Sequence, residues 1–91
     1  MSETVRRRVV VHGRVQGVFF RDSARSKAAE LGVTGWISNR SDGAVEAVFE
    51  GAPDAVAAMV DWSRQGPRGA DVGRVEESEE RPEGLTGFKV R

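Results

Sequence analysis

Residues 13–22, GRVQGVFFRD, combine residue types that suit the binding of a small anion. Gly13 and Gly17 allow backbone angles at which successive N–H groups can turn inward around an anion. The helix expected after this loop would add the positive end of its dipole, and Arg21 at its mouth would add a fork of donors matched to phosphate oxygens. The pattern favours a site for a small dianion, although a plain tight turn beside a surface arginine fits the same spacing.

Two other phosphate-binding loops do not fit these residues. A P-loop requires Lys followed by Ser or Thr after its second glycine, whereas Val18 and Phe19 follow Gly17. A dinucleotide-binding fingerprint requires a third glycine and a parallel βαβ unit, and the sequence predicts neither. The spacing of two glycines is therefore a weak indicator when it is taken by itself.

The length and the composition of the chain limit the classes of protein to which it can belong. Ninety-one residues predict one domain spanning residues 1–91. The lack of cysteine excludes disulfides and thiol chemistry and fits a cytoplasmic location. No apolar run approaches the ~20 residues that cross a bilayer, and the N-terminus is unlike a signal peptide, so we expect no membrane partner.

Charge is balanced in number but uneven in position. Lys and Arg number 14, as do Asp and Glu, and a domain with no net charge is a poor match for nucleic acid. Arginines crowd the first quarter at residues 6, 7, 8, 14, 21 and 25, and glutamates crowd residues 76–83. These runs predict solvated faces or, alternatively, a local field that draws anions. The acidic run lacks the spacing of a calcium loop, so we expect no metal and no other cofactor.

Local patterns predict the elements that must position the glycine loop. The helix after the loop would be capped by Asp22 or Ser23 and would stop at Gly32, while Asp42 and Gly43 predict a hairpin. The predicted strands are residues 5–12, 33–38, 44–50, 72–78 and 87–91, and the predicted helices are residues 22–31 and the segment from Pro53 to Gly66. The order β-α-β-β-α-β with a final short strand predicts an α+β, ferredoxin-like sandwich, in which an antiparallel sheet carries both helices on one face.

Large apolar side chains predict how these elements pack. Phe19 and Phe20 are expected to be core anchors that stiffen the loop they follow. Trp36 is interpreted as a packing residue on the second strand. Met59 and Trp62 are expected on the buried face of the second helix.

Two segments together resemble a known family. GRVQGVFFR at 13–21, followed by GWISNRSDGAV at 35–45, resembles the paired signature of the acylphosphatases, and GFKVR at 87–91 resembles their closing strand. The resemblance implies the ferredoxin-like sandwich and the metal-independent hydrolysis of acyl phosphates to a carboxylate and orthophosphate. It also implies that Arg21 binds phosphate and that Asn39 positions the attacking water. The implied backbone cradle consists of Arg14, Val15, Gln16, Gly17, Val18, Phe19 and Phe20.

The reaction implied by this resemblance requires no covalent chemistry from the side chains. Phosphoryl transfer depends mainly on positioning and on stabilising charge at the oxygens. Asn39 cannot act as a base near neutral pH, but its amide could hold a water in line with phosphorus, unless it serves only as a hairpin turn residue. His12, the single histidine, is expected to be structural or solvated. The resemblance implies that a phosphate oxygen takes the water's proton.

Partners and competing functions follow from the same residues. The resemblance implies a small-molecule acyl phosphate as substrate and inorganic phosphate as product, with little selection for the acyl group and a monomer as the default. A regulatory domain that binds a phosphorylated ligand without turnover would use the same cradle, but it would not need Asn39. An RNA-recognition-like module shares the element order, yet Glu46 and Glu50 on its presumed open sheet face would repel a phosphate backbone.

Overall fold

The computed structural model describes residues 3–91. Within this range the chain forms five strands and two helices. In chain order they are β1 (Val5–Arg14), α1 (Phe20–Leu31), β2 (Thr34–Asn39), β3 (Val45–Gly51), α2 (Pro53–Gln65), β4 (Asp71–Glu80) and β5 (Phe88–Val90). In the same range, neither helix has the length and apolar character needed to cross a membrane.

The strands form one sheet in the order β4-β1-β3-β2-β5. The pairs β1–β3, β1–β4 and β2–β3 are antiparallel, whereas β2–β5 is parallel. The predicted α+β ferredoxin-like class is confirmed, but the sheet is mixed rather than antiparallel throughout. The parallel pair arises because residues 81–87 carry the chain from the β4 edge to the opposite edge, where β5 runs in the same direction as β2.

One face of the sheet packs against both helices and forms the core. Alternate residues of a strand point to opposite faces, and the fully buried residues on the helix-facing side of the central strands are apolar. The buried cluster includes Val9, Val11, Ile37, Val45, Ala47 and Phe49 from the sheet and Ala24, Ala28, Val56, Met59 and Val60 from the helices. The predicted buried face of α2 is confirmed, with Trp62 only partly buried at its flank.

The boundaries of α1 differ from the sequence-based prediction at one end only. The helix stops at Gly32, whose φ of 72° lies in the left-handed region, as predicted. It begins at Phe20, two residues before the predicted start at Asp22, and no side chain caps its first turn. The predicted cap at Asp22 or Ser23 is therefore wrong, because the preceding loop itself directs the chain into the helix.

The two consecutive phenylalanines have different environments. Phe20 is 2% exposed, and its ring meets the Trp62 ring edge-on with 5.2 Å between the centroids. Phe19 is 78% exposed. The prediction that both are core anchors is correct for Phe20 and wrong for Phe19, because the backbone turn at Phe19 directs its side chain to solvent.

The basic and acidic runs pair with each other. Strand β1, which carries residues 6–8, lies antiparallel beside β4, which carries most of the glutamates. The Arg7 guanidinium contacts Glu77 and Glu79 at 2.9 and 3.0 Å. The Arg8 guanidinium contacts Glu80 at 2.6 Å. The alternative of a free cationic field is thus wrong for these arginines, because the strand pairing neutralises the two runs, although Glu77 and Glu79 stay exposed to solvent.

The sheet face opposite the helices is covered by long side chains. Arg8 and Arg91 place their guanidinium carbons 5.4 and 4.4 Å from the centre of the Trp36 ring. Glu46 contacts Arg8 at 2.5 Å. The sequence had suggested that Glu50 lies on an open face, and this prediction is wrong, because the residue is only 1% exposed. It is buried because the chain segment after β4 lies over it.

Candidate active site

A cavity of about 320 Å³ opens at the end of the sheet where β1, β2 and β5 finish and α1 begins. It is lined by Val15, Gly17, Phe19, Phe20, Arg21, Asp22, Asn39 and Val90. The loop between β1 and α1 supplies one wall, and the ends of β2 and β5 supply the other. Residues that are far apart in the sequence meet here because β2 lies between β3 and β5 in the sheet.

The loop between β1 and α1 carries main-chain N–H groups that have no main-chain acceptor among its turn and loop hydrogen bonds. Among the turn and loop hydrogen bonds of residues 3–91, no main-chain carbonyl accepts from the N–H groups of residues 16–19. Gly17 has a φ of 75°, a left-handed conformation that favours glycine. Free N–H groups ahead of a helix N-terminus form the environment that a phosphate prefers.

Arg21 lies in the first turn of α1, where it reaches both the cavity and the end of the sheet. Its Nη1 donates a hydrogen bond of 2.6 Å to the main-chain oxygen of Arg91, the residue after β5. That bond uses one donor of the guanidinium, and a guanidinium has five. The remaining donors are free to meet an anion in the cavity that Arg21 lines.

Asn39 is the last residue of β2, where it pairs with Val45 across the hairpin. It is a strand residue, so the alternative that it serves as a hairpin turn residue is wrong. The turn is formed by the residues after it: the Arg40 N–H donates to the Ala44 carbonyl at 2.8 Å, and the Ala44 N–H donates to Asp42 Oδ1 at 3.0 Å. That second bond, with Arg40 nearby, lowers the pKa of the Asp42 carboxyl.

Gln16 joins the glycine loop to this hairpin. Its Nε2 donates to the main-chain carbonyl of Arg40 at 2.8 Å and to that of Ala44 at 3.0 Å. Its side chain does not line the cavity. The contact instead fixes the distance between the loop that carries the free N–H groups and the strand end that carries Asn39.

The predicted site residues fall into two groups. The cavity is lined by Val15, Gly17, Phe19, Phe20, Arg21 and Asn39. Arg14, Gln16 and Val18 do not line it: Arg14 is exposed at the end of β1, and Val18 packs partly buried against the core. A main-chain N–H at those positions can still face the loop interior when the side chain turns away.

Sequence reasoning missed two lining residues. Asp22 was interpreted only as a helix cap, and its carboxylate lies 3.6 Å from the guanidinium of Arg25. Val90 comes from the short closing strand and carries no chemical signal in the sequence. Its place beside Asn39 depends on the parallel pairing of β5 with β2, in which Ile37 lies opposite Val90.

His12 lies outside the cavity lining. Its Nε2 is 2.6 Å from Glu76 Oε2 in the neighbouring strand, and this contact lowers the pKa of the Glu76 carboxyl. In the part of the chain that the structure describes, no three His, Asp or Glu side chains converge as a metal site would require. The side chains of the cavity instead offer one cation, one amide and one carboxylate.

The fold and the cavity together define a small α+β sandwich with a glycine-containing loop and a cavity at the end of its sheet. The family model described as Acylphosphatase matches residues 7–90. The chain therefore belongs to the acylphosphatase family.

Relatives of known name agree over nearly the full length. An acylphosphatase of Gloeobacter violaceus is 52% identical over 90 residues, which cover 99% of this chain and 97% of that protein. An acylphosphatase of Thermococcus kodakarensis is 55% identical over 86 residues, which cover 94% of each. The structure of an acylphosphatase from Coxiella burnetii is similar with a TM-score of 0.93 and 43% identity, over 97% of this chain and 93% of that one.

Proposed function

We propose that this chain hydrolyses the carboxyl–phosphate bond of acyl phosphates, releasing a carboxylate and orthophosphate without a metal ion. The observation that carries the proposal is that Arg21 and Asn39 line one cavity together with the loop whose N–H groups have no main-chain partner. The names of the relatives described above agree with this chemistry. A single domain, a monomer, a cytoplasmic location and the lack of a nucleic-acid or membrane partner stay predictions from the sequence.

The phosphate group would lie in the loop, held by main-chain N–H groups of residues 14–20. The N-terminus of α1 and the Arg21 guanidinium would supply positive charge next to it. Charge on the phosphate oxygens changes during the reaction, and preorganised donors aimed at those oxygens lower the barrier. The hydrogen bond from Arg21 to Arg91 supports this role because it holds the guanidinium in place before substrate binds.

The attacking water would be held by the Asn39 amide, which carries both a donor and an acceptor. Asn39 ends β2, and Gln16 of the glycine loop donates hydrogen bonds to the Arg40 and Ala44 carbonyls in the hairpin that follows. These bonds keep the Asn39 amide and the glycine loop at a fixed separation. Such positioning lowers the entropic cost of bringing water and phosphorus together.

The proton of the water would pass to a phosphate oxygen of the substrate. The side chains of the cavity include no histidine, and His12 is engaged with Glu76 outside it. Asp22 is the one lining carboxylate, and it lies close to Arg25, 3.6 Å away. Because the leaving group is a carboxylate, it can depart without being protonated first.

The test measures orthophosphate release from acetyl phosphate in the presence of EDTA. Arg21→Gln is expected to lower kcat/KM by at least about 10²-fold, because it removes donors aimed at developing charge. Asn39→Ala is expected to lower kcat by about 10²-fold while the inhibition constant for orthophosphate stays within about threefold, because the amide acts on water. Matched controls are Arg64→Gln in the last turn of α2 and Gln65→Ala at the end of that helix, since neither residue lines the cavity.

Three outcomes would count against the proposal. Full activity in Arg21→Gln or in Asn39→Ala would remove that residue from its role. Loss of wild-type activity in EDTA, restored by a divalent cation, would remove the metal-independent reaction. Tight binding of orthophosphate with no turnover of any acyl phosphate would instead favour the regulatory domain that binds a phosphorylated ligand.

A further inference from the structure

We infer that the Phe19 side chain is the contact for the acyl group of the substrate, and that it favours acyl phosphates whose acyl group is aromatic or bulky and apolar. This inference rests on the proposed function and adds a substrate class to it. The sequence alone had suggested a core role for this ring, and the structure excludes that role.

Exposure of the ring is the first observation. Phe19 is 78% exposed, and among residues 3–91 it is the one large hydrophobic side chain that lies mostly in solvent. The core closes without it, since Phe20 fills the space beside Trp62. A single exposed apolar ring is common on protein surfaces, so the exposure of Phe19 shows only that the ring is available for contact with another molecule.

Backbone strain at the same residue is the second observation. Phe19 has φ 61° and ψ 29°, in the left-handed region, and it is the one non-glycine residue with positive φ in the described part of the chain. Bulky residues rarely adopt this conformation, which costs less free energy for glycine or asparagine. Strained residues persist where a functional site requires them. Here the strained turn is what sends the Phe19 ring outward and the Phe20 ring inward.

The location of the ring identifies its ligand. Phe19 lines the same cavity as Arg21 and Asn39, and a side chain that lines a cavity while being mostly exposed lies at its mouth. In-line attack places the leaving carboxylate on the side of phosphorus opposite the water. The acyl group therefore extends out of the phosphate cradle, across the mouth of the cavity.

The apolar character of the wall selects the kind of acyl group. Val15 and Val90 also line the cavity, so apolar side chains form part of its wall beside Arg21, Asn39 and Asp22. An aromatic acyl group can stack on the Phe19 ring or meet it edge-on, whereas an acetyl group is too small to cover it. Benzoyl phosphate and acetyl phosphate are thus the two probes that separate a ring contact from the shared phosphate contacts.

The experiment compares kcat/KM for benzoyl phosphate and acetyl phosphate in the wild type and in Phe19→Leu, Phe19→Asn and Phe19→Gly. The ratio of the two kcat/KM values is expected to fall about five- to tenfold in Phe19→Asn and Phe19→Gly, the size of an aromatic contact. Phe19→Leu, which keeps an apolar side chain, is expected to lose less of the ratio. Asn and Gly suit the left-handed backbone, so both variants are expected to keep or raise the melting temperature.

The outcomes separate this inference from the proposed function. A ratio that stays at the wild-type value in all three variants overturns the acyl contact, whether or not overall activity falls, because a loop-shaping role affects both substrates alike. A wild-type enzyme that hydrolyses neither probe overturns the proposed function and this inference with it. A lowered ratio that also follows the order Phe, Leu, Asn supports the contact.

Discussion

The Arg6 guanidinium and the Glu50 carboxylate form a 2.8 Å ion pair, with side chains only 4% and 1% exposed. The same carboxylate accepts main-chain N–H groups from Glu83, Gly84 and Leu85 at 2.9, 3.1 and 3.1 Å. These three residues belong to the segment that crosses from β4 to β5. A side chain at the end of β3 thus fastens the crossing segment that delivers the closing strand to the edge of the sheet.

We expect Glu50→Gln to destabilise the fold. The substitution removes the negative charge that faces the buried Arg6 and weakens the three main-chain hydrogen bonds. Breaking a buried pair in this way typically costs about 3 kcal/mol in the free energy of unfolding. Urea unfolding followed by circular dichroism measures the change.

Glu79→Gln is the matched control, since the Glu79 side chain is 76% exposed and its contact with Arg7 lies at the surface. A pair of that kind contributes about 0–1 kcal/mol. Equal midpoints for Glu50→Gln and Glu79→Gln would mean that the buried pair does not hold the crossing segment.

Acid is expected to destabilise the protein through the same carboxylates. Burial opposes ionisation of Glu50, but the N–H of Glu83 and the guanidinium of Arg6 outweigh it and hold the Glu50 pKa below its ordinary value. Hydrogen bonds from Arg8 and Arg6 lower the pKa of Glu80. A carboxyl whose pKa is depressed in the fold adds stability above its unfolded pKa of about 4.3, and that stability is lost as pH falls through the folded pKa.

The free energy of unfolding, measured at intervals from pH 7 to pH 3, should therefore stay level down to about pH 5 and then decline. Glu50→Gln is expected to show a shallower decline, because one of the depressed carboxyls has been removed. If the free energy of unfolding fell equally steeply with pH in the wild type and in Glu50→Gln, the assignment to Glu50 would be contradicted.

Gln16→Ala is expected to lower kcat by loosening the link between the glycine loop and the hairpin. The variant loses two hydrogen bonds, to the carbonyls of Arg40 and Ala44. The free energy of unfolding is expected to fall by only about 1 kcal/mol, because water can take the place of the lost amide at the exposed Arg40 carbonyl. Asn39 would then no longer keep a fixed distance from the bound phosphate. Steady-state kinetics with acetyl phosphate, with Gln65→Ala as control, measures kcat and KM separately.

Gln16→Glu sharpens this experiment, because a carboxylate cannot donate to either carbonyl. It should lower kcat at least as much as Gln16→Ala. An effect confined to KM in both variants would mean that the side chain tunes substrate affinity and does not hold Asn39 in place.

His12→Ala is expected to keep turnover within about twofold of the wild type, because no step of the proposed mechanism uses an imidazole. The contact of His12 with Glu76 joins strands β1 and β4, and neither residue lines the cavity. The pH dependence of kcat/KM should show no ionisation near the histidine pKa of about 6.5. Loss of nearly all activity in this variant would require a proton acceptor that the mechanism does not contain.

Local signals in the sequence were sufficient for much of the fold. Gly32 stops α1, and Asp42 with Gly43 turns the hairpin, because each requires only a backbone conformation that its own residue type favours. The period of apolar residues also gave the buried face of α2 correctly. The start of α1 was missed, because the strained turn at Phe19 replaces the side-chain cap that the local pattern predicted.

Residue type and spacing also selected the candidate site. Segments 13–21 and 35–45 carried the family resemblance, which indicated Arg21 and Asn39 as candidate site residues. Sequence could not separate Phe19 from Phe20, since both are the same residue type in adjacent positions. It could not find Val90 either, because a valine in a short strand has no chemical signal of its own.

Tertiary structure decided what depends on neighbours distant in the chain. The pairing of β1 with β4 turned two charge runs into ion pairs, and the crossing segment buried Glu50. The parallel addition of β5 brought Val90 to the cavity and the main-chain oxygen of Arg91 to the Arg21 guanidinium. The sequence by itself determined which backbone turns and chemical groups were available, because those properties are local. Which groups meet, and which are shielded from water, followed from the order of strands in the sheet, since contact and burial are properties of packed segments.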